Sequence, residues 1–201
     1  MTAYLEITLS WLFKNFRGRD DKAFTTNPAF ASHPEPTLQV TSPDCGADGA
    51  TLSKGYIAGG KVLIPELKWE TVEGVKEWLV VNEDFDAPLP KPICHGIYVG
   101  VPAEKLSLGN EDFQPAAGAS STQLKGGFSY GMTRNGKLYT PPRPLINHGF
   151  HRYFWFVVGL NEPLDPEFVA SKPSREAVAA KIDGRVVAWG RWMGQCERKW
   201  E

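Results

Sequence analysis

The chain carries few features that commit a protein to one chemistry. Cysteine is scarce, with three in 201 residues, at Cys45, Cys94 and Cys196, and no two form a CxxC pair. That spacing argues against a disulfide framework and a thiolate zinc site, and it makes a reducing, cytoplasmic setting the simpler expectation. Net charge is almost absent at −1, which removes the usual electrostatic footprint of a nucleic-acid partner. No apolar run approaches the ~18 residues that span a bilayer, so no transmembrane segment is expected. The most apolar N-terminal stretch is short and contains Glu6. Its positive charges (Lys14, Arg17, Arg19) follow it, whereas a secretory signal has them in front. P-loop, GxGxxG and serine-elbow motifs are missing, as are internal repeats and low-complexity tracts.

Glycine and proline, by contrast, are plentiful, at 20 and 16. This favours a strand-rich, loop-rich fold over a helical bundle. The apolar fraction of 42% is enough for a sizeable core. Residues 4 to 17 predict an amphipathic helix, with Leu5, Leu9, Leu12, Phe13 and Phe16 on one stripe and Gly18 as its stop. That stripe is expected to dock on the domain, and its alternative use is as a membrane-surface or partner helix, with Lys14, Arg17 and Arg19 nearby. A helix-plus-connector unit over 1–24 and a single domain over 25–201 follow.

Strands are predicted at 38–42, 67–70, 77–84, 94–101, 150–160 and 185–192, with short ones at Gly127–Phe128 and around Leu138–Tyr139. Residues 43–60 and 103–127 read as loops. A helical turn is expected at 166–170, and a helix capped by Ser174 runs up to Gly184. Tryptophans 69, 78, 155, 189 and 192 are assigned to the core.

Three strand ends carry ionisable groups. Asp84 and Asp86 close one strand, His95 opens the next, and His148, His151, Arg152 and Tyr153 open a third. If these strands are neighbours, their polar ends converge, and a carboxylate beside a histidine orients it and favours its cation. Along the last strand His151 and Tyr153 alternate onto one face and Arg152 onto the other, where Asp86 is an available partner. Cys94 and His95 point to opposite faces, so they do not form a nucleophile pair, and Cys94 reads as a small core residue. His148 reads as a solvated loop histidine. Asp84, His95 and His151 contain the donor types of a metal triad, but nothing in their spacing demands one.

The order Asp84-Phe85-Asp86-Ala87-Pro88, Cys94-His95, Tyr139-Thr140-Pro141-Pro142-Arg143-Pro144 and Gly149-Phe150-His151-Arg152-Tyr153 resembles the phosphatidylethanolamine-binding protein (PEBP) family. The resemblance is to its fungal members, similar to bacterial Raf-kinase-inhibitor-like proteins, and covers residues 36 to 194. It implies a mainly β, sandwich-like fold with a few short peripheral helices and a small anion pocket at strand ends. Carried over by position, Asp84, His95, His151 and Tyr153 match the family's pocket residues, and Asp86 and Pro88 match its supporting turn. Departures lie in the proline-rich loop, where Thr140 and Pro141 stand in place of glycines. Pro141 supplies no N–H. Arg143 replaces a pocket glycine of mammalian members and adds a bidentate partner for carboxylate or phosphate.

Asp84, Asp86, His95, Arg143, His151 and Tyr153 are therefore the expected ligand contacts for a phosphate, carboxylate or anhydride. His95, His151 and Asp84 are the candidates for catalysis, and no cofactor or metal is expected. Two functions stay open. One is a biosynthetic catalyst or accessory protein, since the resemblance extends to fungal members that couple maleic-anhydride units into maleidrides. The other is a non-catalytic headgroup-binding or kinase- or protease-regulating protein.

Overall fold

The computed structural model describes residues 2–118 and 122–200, so part of the loop expected over 103–127 lies outside the described residues. The strands are β1 (Leu38–Thr41), β2 (Ala50–Thr51), β3 (Leu67–Trp69), β4 (Glu77–Asp84), β5 (Ile93–Pro102), β6 (Ser107–Leu108), β7 (Ser129–Tyr130), β8 (His151–Leu160) and β9 (Val186–Cys196). They form one sheet in the order β6-β3-β1-β9-β8-β4-β5-β7, with β2 alongside β9. The centre is antiparallel: β4 lies between β5 and β8, and β8 pairs with β9 along its whole length. The join to β1 is parallel. Gly190 of β9 makes that join: a Cβ there would lie 1.9 Å from the Leu38 carbonyl oxygen, so only glycine lets the two backbones approach so closely.

The sheet curls and buries both faces. Trp78 and Val80 of β4 face inward with Tyr98, Trp155, Val157 and Trp192, and they meet Leu67, Trp69 and Leu108 from the sheet's far end. The alternate residues Leu79 and Val81 face outward with Ile97, Val99, Phe156 and Trp189. Helix α3 (Arg175–Lys181) and three 3-10 turns between Asp20 and Phe30 cover this second face, contributing Val178, Ala179, Phe24 and Phe30. Burial on both faces is why β4 and β8 read as near-continuous apolar runs. Helix α2 (Pro166–Ala170) packs at the periphery, and Ser174 caps α3 by accepting from the Ala177 N–H at 3.2 Å. The short strands differ from expectation. β7 lies one residue beyond Gly127–Phe128, no strand forms at Leu138–Tyr139, and β6 lies where loop was expected.

Helix α1 runs over Ala3–Leu12 and stops well before Gly18. It docks, but with only Leu9 and Phe13 of the expected stripe half-buried. Its buried residues are Glu6 and Ser10, while Leu5, Leu12 and Phe16 stay exposed. The expected face is thus rotated toward Glu6. The reason is electrostatic: Glu6 meets Arg143 at 2.6 Å and Arg198 at 3.0 Å, and two guanidiniums compensate the buried carboxylate. Gly18, at φ +70°, directs its N–H to Asp86 at 3.1 Å. Its left-handed turn returns the chain to the sheet. No helix among the described residues is long and apolar enough to cross a membrane.

Candidate functional site

A cavity of about 440 Å³ opens where β4 ends and β5 and β8 begin. Asp84, His95 and His151 line its floor. Thr140, Pro141, Arg143 and Arg134 form one wall, and Leu9 and Phe13 of the N-terminal segment close it from above. Sheet register produces the convergence: Asp84 pairs across to Tyr153 on one side and to Ile93 on the other. The first residues of β8 and β5 therefore stand beside the last residue of β4.

Asp84 divides its oxygens. Oδ1 accepts the N–H groups of Asp86 (2.8 Å) and Ala87 (3.1 Å), which fixes the turn. Oδ2 meets His151 Nδ1 at 2.8 Å and lies 3.9 Å from His95 Nε2. His95 Nδ1 contacts the Thr140 carbonyl oxygen, while the Thr140 N–H donates to the His95 carbonyl at 2.8 Å. A carbonyl only accepts, so Nδ1 carries the hydrogen. Burial lowers the His95 pKa despite the opposing pull of Asp84, and the ring is neutral at pH 7. Nε2 is left as a lone pair, buried and without a hydrogen-bond partner.

Asp84, His95, His151 and Arg143 are thus brought together at the cavity. Asp86 and Tyr153 stand behind it. The Asp86 carboxylate accepts from Arg152 N (2.9 Å), Nε (2.8 Å) and Nη2 (3.0 Å) as well as from Gly18, so Arg152 and Asp86 brace the site. Burial works against ionisation of Asp86, yet these bonds hold its carboxyl below the usual range. Tyr153 packs its ring edge-on to His95, with centroids 5.2 Å apart. Burial pushes its phenol well up.

Sequence reasoning missed the role of His148, which is buried rather than solvated. Its Nδ1 meets His151 Nε2 at 2.8 Å, and its Nε2 meets the Phe13 carbonyl at 3.1 Å. The available signal was its position three residues before His151. The contributions of Leu9, Phe13 and Arg134 left no comparable signal. Among the described residues, no group of three His, Cys, Asp or Glu is arranged to hold a metal ion.

A curled sheet with an aspartate and two histidines at its strand ends defines a class of protein. Residues 42–197 match the family model "Phosphatidylethanolamine-binding protein", and the chain belongs to that family. Within it, the chain is similar to two fungal proteins named phomoidride biosynthesis cluster protein B. The one from Talaromyces stipitatus is 40% identical over 98% of this chain and 82% of its own. The second, from a fungal species, is 38% identical over 98% and 96%. Among solved structures, E. coli YbcL, described as a new member of the mammalian PEBP family, superposes with a TM-score of 0.67. It is 25% identical over 80% of this chain and 98% of its own.

Proposed function

We propose that the protein acts in small-molecule biosynthesis of the maleidride type, on a carboxylate- or anhydride-bearing ligand held in the strand-end cavity. The observation that carries the reading is the buried, unpartnered His95 Nε2 beside Asp84. A neutral imidazole lone pair on a cavity-lining residue can act as a general base toward a ligand that reaches it. In the proposed step, Nε2 takes a proton from a ligand carbon next to a carbonyl. The C–H bond breaks, an N–H bond forms, and the electron pair moves into the carbonyl to give an enolate. The resulting imidazolium is stabilised by Asp84 at 3.9 Å. Arg134 and Arg143 line the cavity wall, where Arg134, and the guanidinium N–H groups of Arg143 that Glu6 does not take, can pair with the ligand's carboxylate and the developing charge. The enolate carbon is then the nucleophile for bonding to a second unit. The names of the two fungal relatives, which align over nearly the whole chain, support the biosynthetic setting.

Titration with maleate, inorganic phosphate and phosphoethanolamine, together with a reconstituted pathway run with and without the protein, tests this reading. Maleate should bind best, and His95→Ala should lower coupled-product formation at least tenfold with binding retained. Equal product yield without the protein would remove the catalytic reading. A clear preference for phosphoethanolamine would favour a non-catalytic headgroup-binding protein.

A further inference from the structure

Among the described residues, the His148 side chain joins the N-terminal segment to the cavity floor, meeting the Phe13 carbonyl on one side and His151 on the other. Four groups form a line: the Phe13 carbonyl, His148, His151 and Asp84, with contacts of 3.1, 2.8 and 2.8 Å. Its hydrogen-bond polarity is fixed from one end. The Phe13 carbonyl only accepts, so His148 Nε2 donates. Burial lowers the His148 pKa, and His151 and Arg17 act in the same direction, against the hydrogen bond to Phe13 and the charge of Asp84. The ring is therefore neutral, and its Nδ1 is an acceptor. His151 Nε2 must then donate to it. The remaining contact, His151 Nδ1 to Asp84 Oδ2, holds a single proton between two acceptors.

The loop carrying His148 is held in this register from both sides. Asn147, at φ +60°, receives the Trp200 N–H on its side-chain oxygen at 3.0 Å. Arg17 donates to the Phe150 carbonyl, and a Cβ on Gly149 would lie 3.0 Å from that guanidinium. Arg17 and Phe13 belong to the same segment, and Glu6 anchors it to Arg143 and Arg198.

We propose that His148 is a positioning residue through which docking of the N-terminal helix sets the proton arrangement of the His151–Asp84 pair. The helix thereby completes the site. With Oδ2 engaged by His151, His95 Nε2 is left without a hydrogen-bond partner on a cavity-lining residue. This inference rests on reading the cavity as the functional site, but its test does not require a ligand.

Long-range proton–nitrogen NMR of the ¹⁵N-histidine-labelled full-length protein at pH 7.5 reads each tautomer. His148 should carry its hydrogen on Nε2, and His151 should be protonated at Nε2. His148→Leu should shift the His151 nitrogens. His148→Gln, whose amide can donate to Phe13 and accept from His151, should restore them. Glu6→Lys, opposite Arg143 and Arg198, should release the helix, seen as faster proteolysis before residue 18, and should change the His148 signals. A wild-type His148 protonated at Nδ1 overturns the proposal. So do His151 signals unchanged in His148→Leu, or His148 signals unchanged after helix release. If His148→Leu does not fold, the wild-type tautomer and the Glu6→Lys spectra still decide. A protein that binds no maleate but shows the expected tautomers would fail the proposed function and keep this inference.

Discussion

Asp84 and Asp86 leave the same strand end two residues apart and take different partners. Asp84 offers Oδ2 to two histidines, whereas all four acceptor bonds of Asp86 go to Arg152 and Gly18. Asp86→Ala should therefore behave as a stability variant. Removing one partner from a largely buried charged network costs about 2–4 kcal/mol, and the loss should appear as a lower urea midpoint. Its pH dependence has a defined sign. The folded pKa is depressed, so the stabilisation is present above the unfolded value near ~3.9 and is lost as pH falls through the lower folded value. Glu77 does the reverse. Burial raises its carboxyl to about 7, even though it accepts from the Leu164 N–H at 3.2 Å. Stability from this group is present below the unfolded value near ~4.3 and is lost as pH rises through about 7. Glu77→Gln should therefore gain melting temperature relative to wild type at pH 8, by roughly 2 °C or more, and show little gain at pH 5. Thermal melts at the two pH values check it.

Elements were legible in the sequence where both sheet faces demand apolar residues. β4 occupies the residues expected, because Trp78, Val80, Leu79 and Val81 supply two cores at once. β6 and β7 are two residues each and too short to carry a period. The N-terminal helix was legible as a helix, but its docking face was not. Periodicity selects leucines, whereas the buried face is set by a glutamate whose two arginine partners lie 137 and 192 residues away. The same limit hid Glu83, on the outer face of β4. It is fully buried, receives the Phe24 N–H at 2.7 Å and pairs with Arg175 of α3. It thus ties β4, a 3-10 turn and a helix together over the second core. Glu83→Ala leaves Arg175 without its acid and should cost about 3–5 kcal/mol. Because the lost bonds join separate elements, hydrogen exchange should accelerate in both α3 and residues 20–30. Faster exchange confined to α3 would contradict the tie.

At the scale of the whole molecule, the candidate-site residues Asp84, His95 and His151 sit on the rigid sheet, while Leu9 and Phe13 belong to the N-terminal cover and Arg134, Arg143 and His148 to loops. Asp84, His95 and His151 are placed by strand register, which a period-2 pattern encodes. Leu9, Phe13 and His148 come together only through docking of a segment that contributes nothing to either core. Both hydrophobic clusters begin at or after Ala23, and among the described residues the segment 3–18 is held mainly by a few polar contacts, Glu6 to two arginines, Phe13 to His148, Arg17 to Phe150 and Gly18 to Asp86, with Tyr4 against Trp200 beside them. Such a segment should sit at the low end of the local-stability scale. A protein lacking residues 2–18 should therefore keep a single cooperative unfolding transition and its near-ultraviolet tryptophan signal, since Trp78, Trp155 and Trp192 are buried elsewhere. Its melting temperature should fall by several degrees for the loss of about 2–3 kcal/mol in charged hydrogen bonds. The same truncation opens the cavity roof made by Leu9 and Phe13, so carboxylate association should speed up while dissociation speeds up more. Loss of cooperative folding on truncation would mean that the segment belongs to the core, and unchanged ligand kinetics would mean that it does not cover the site.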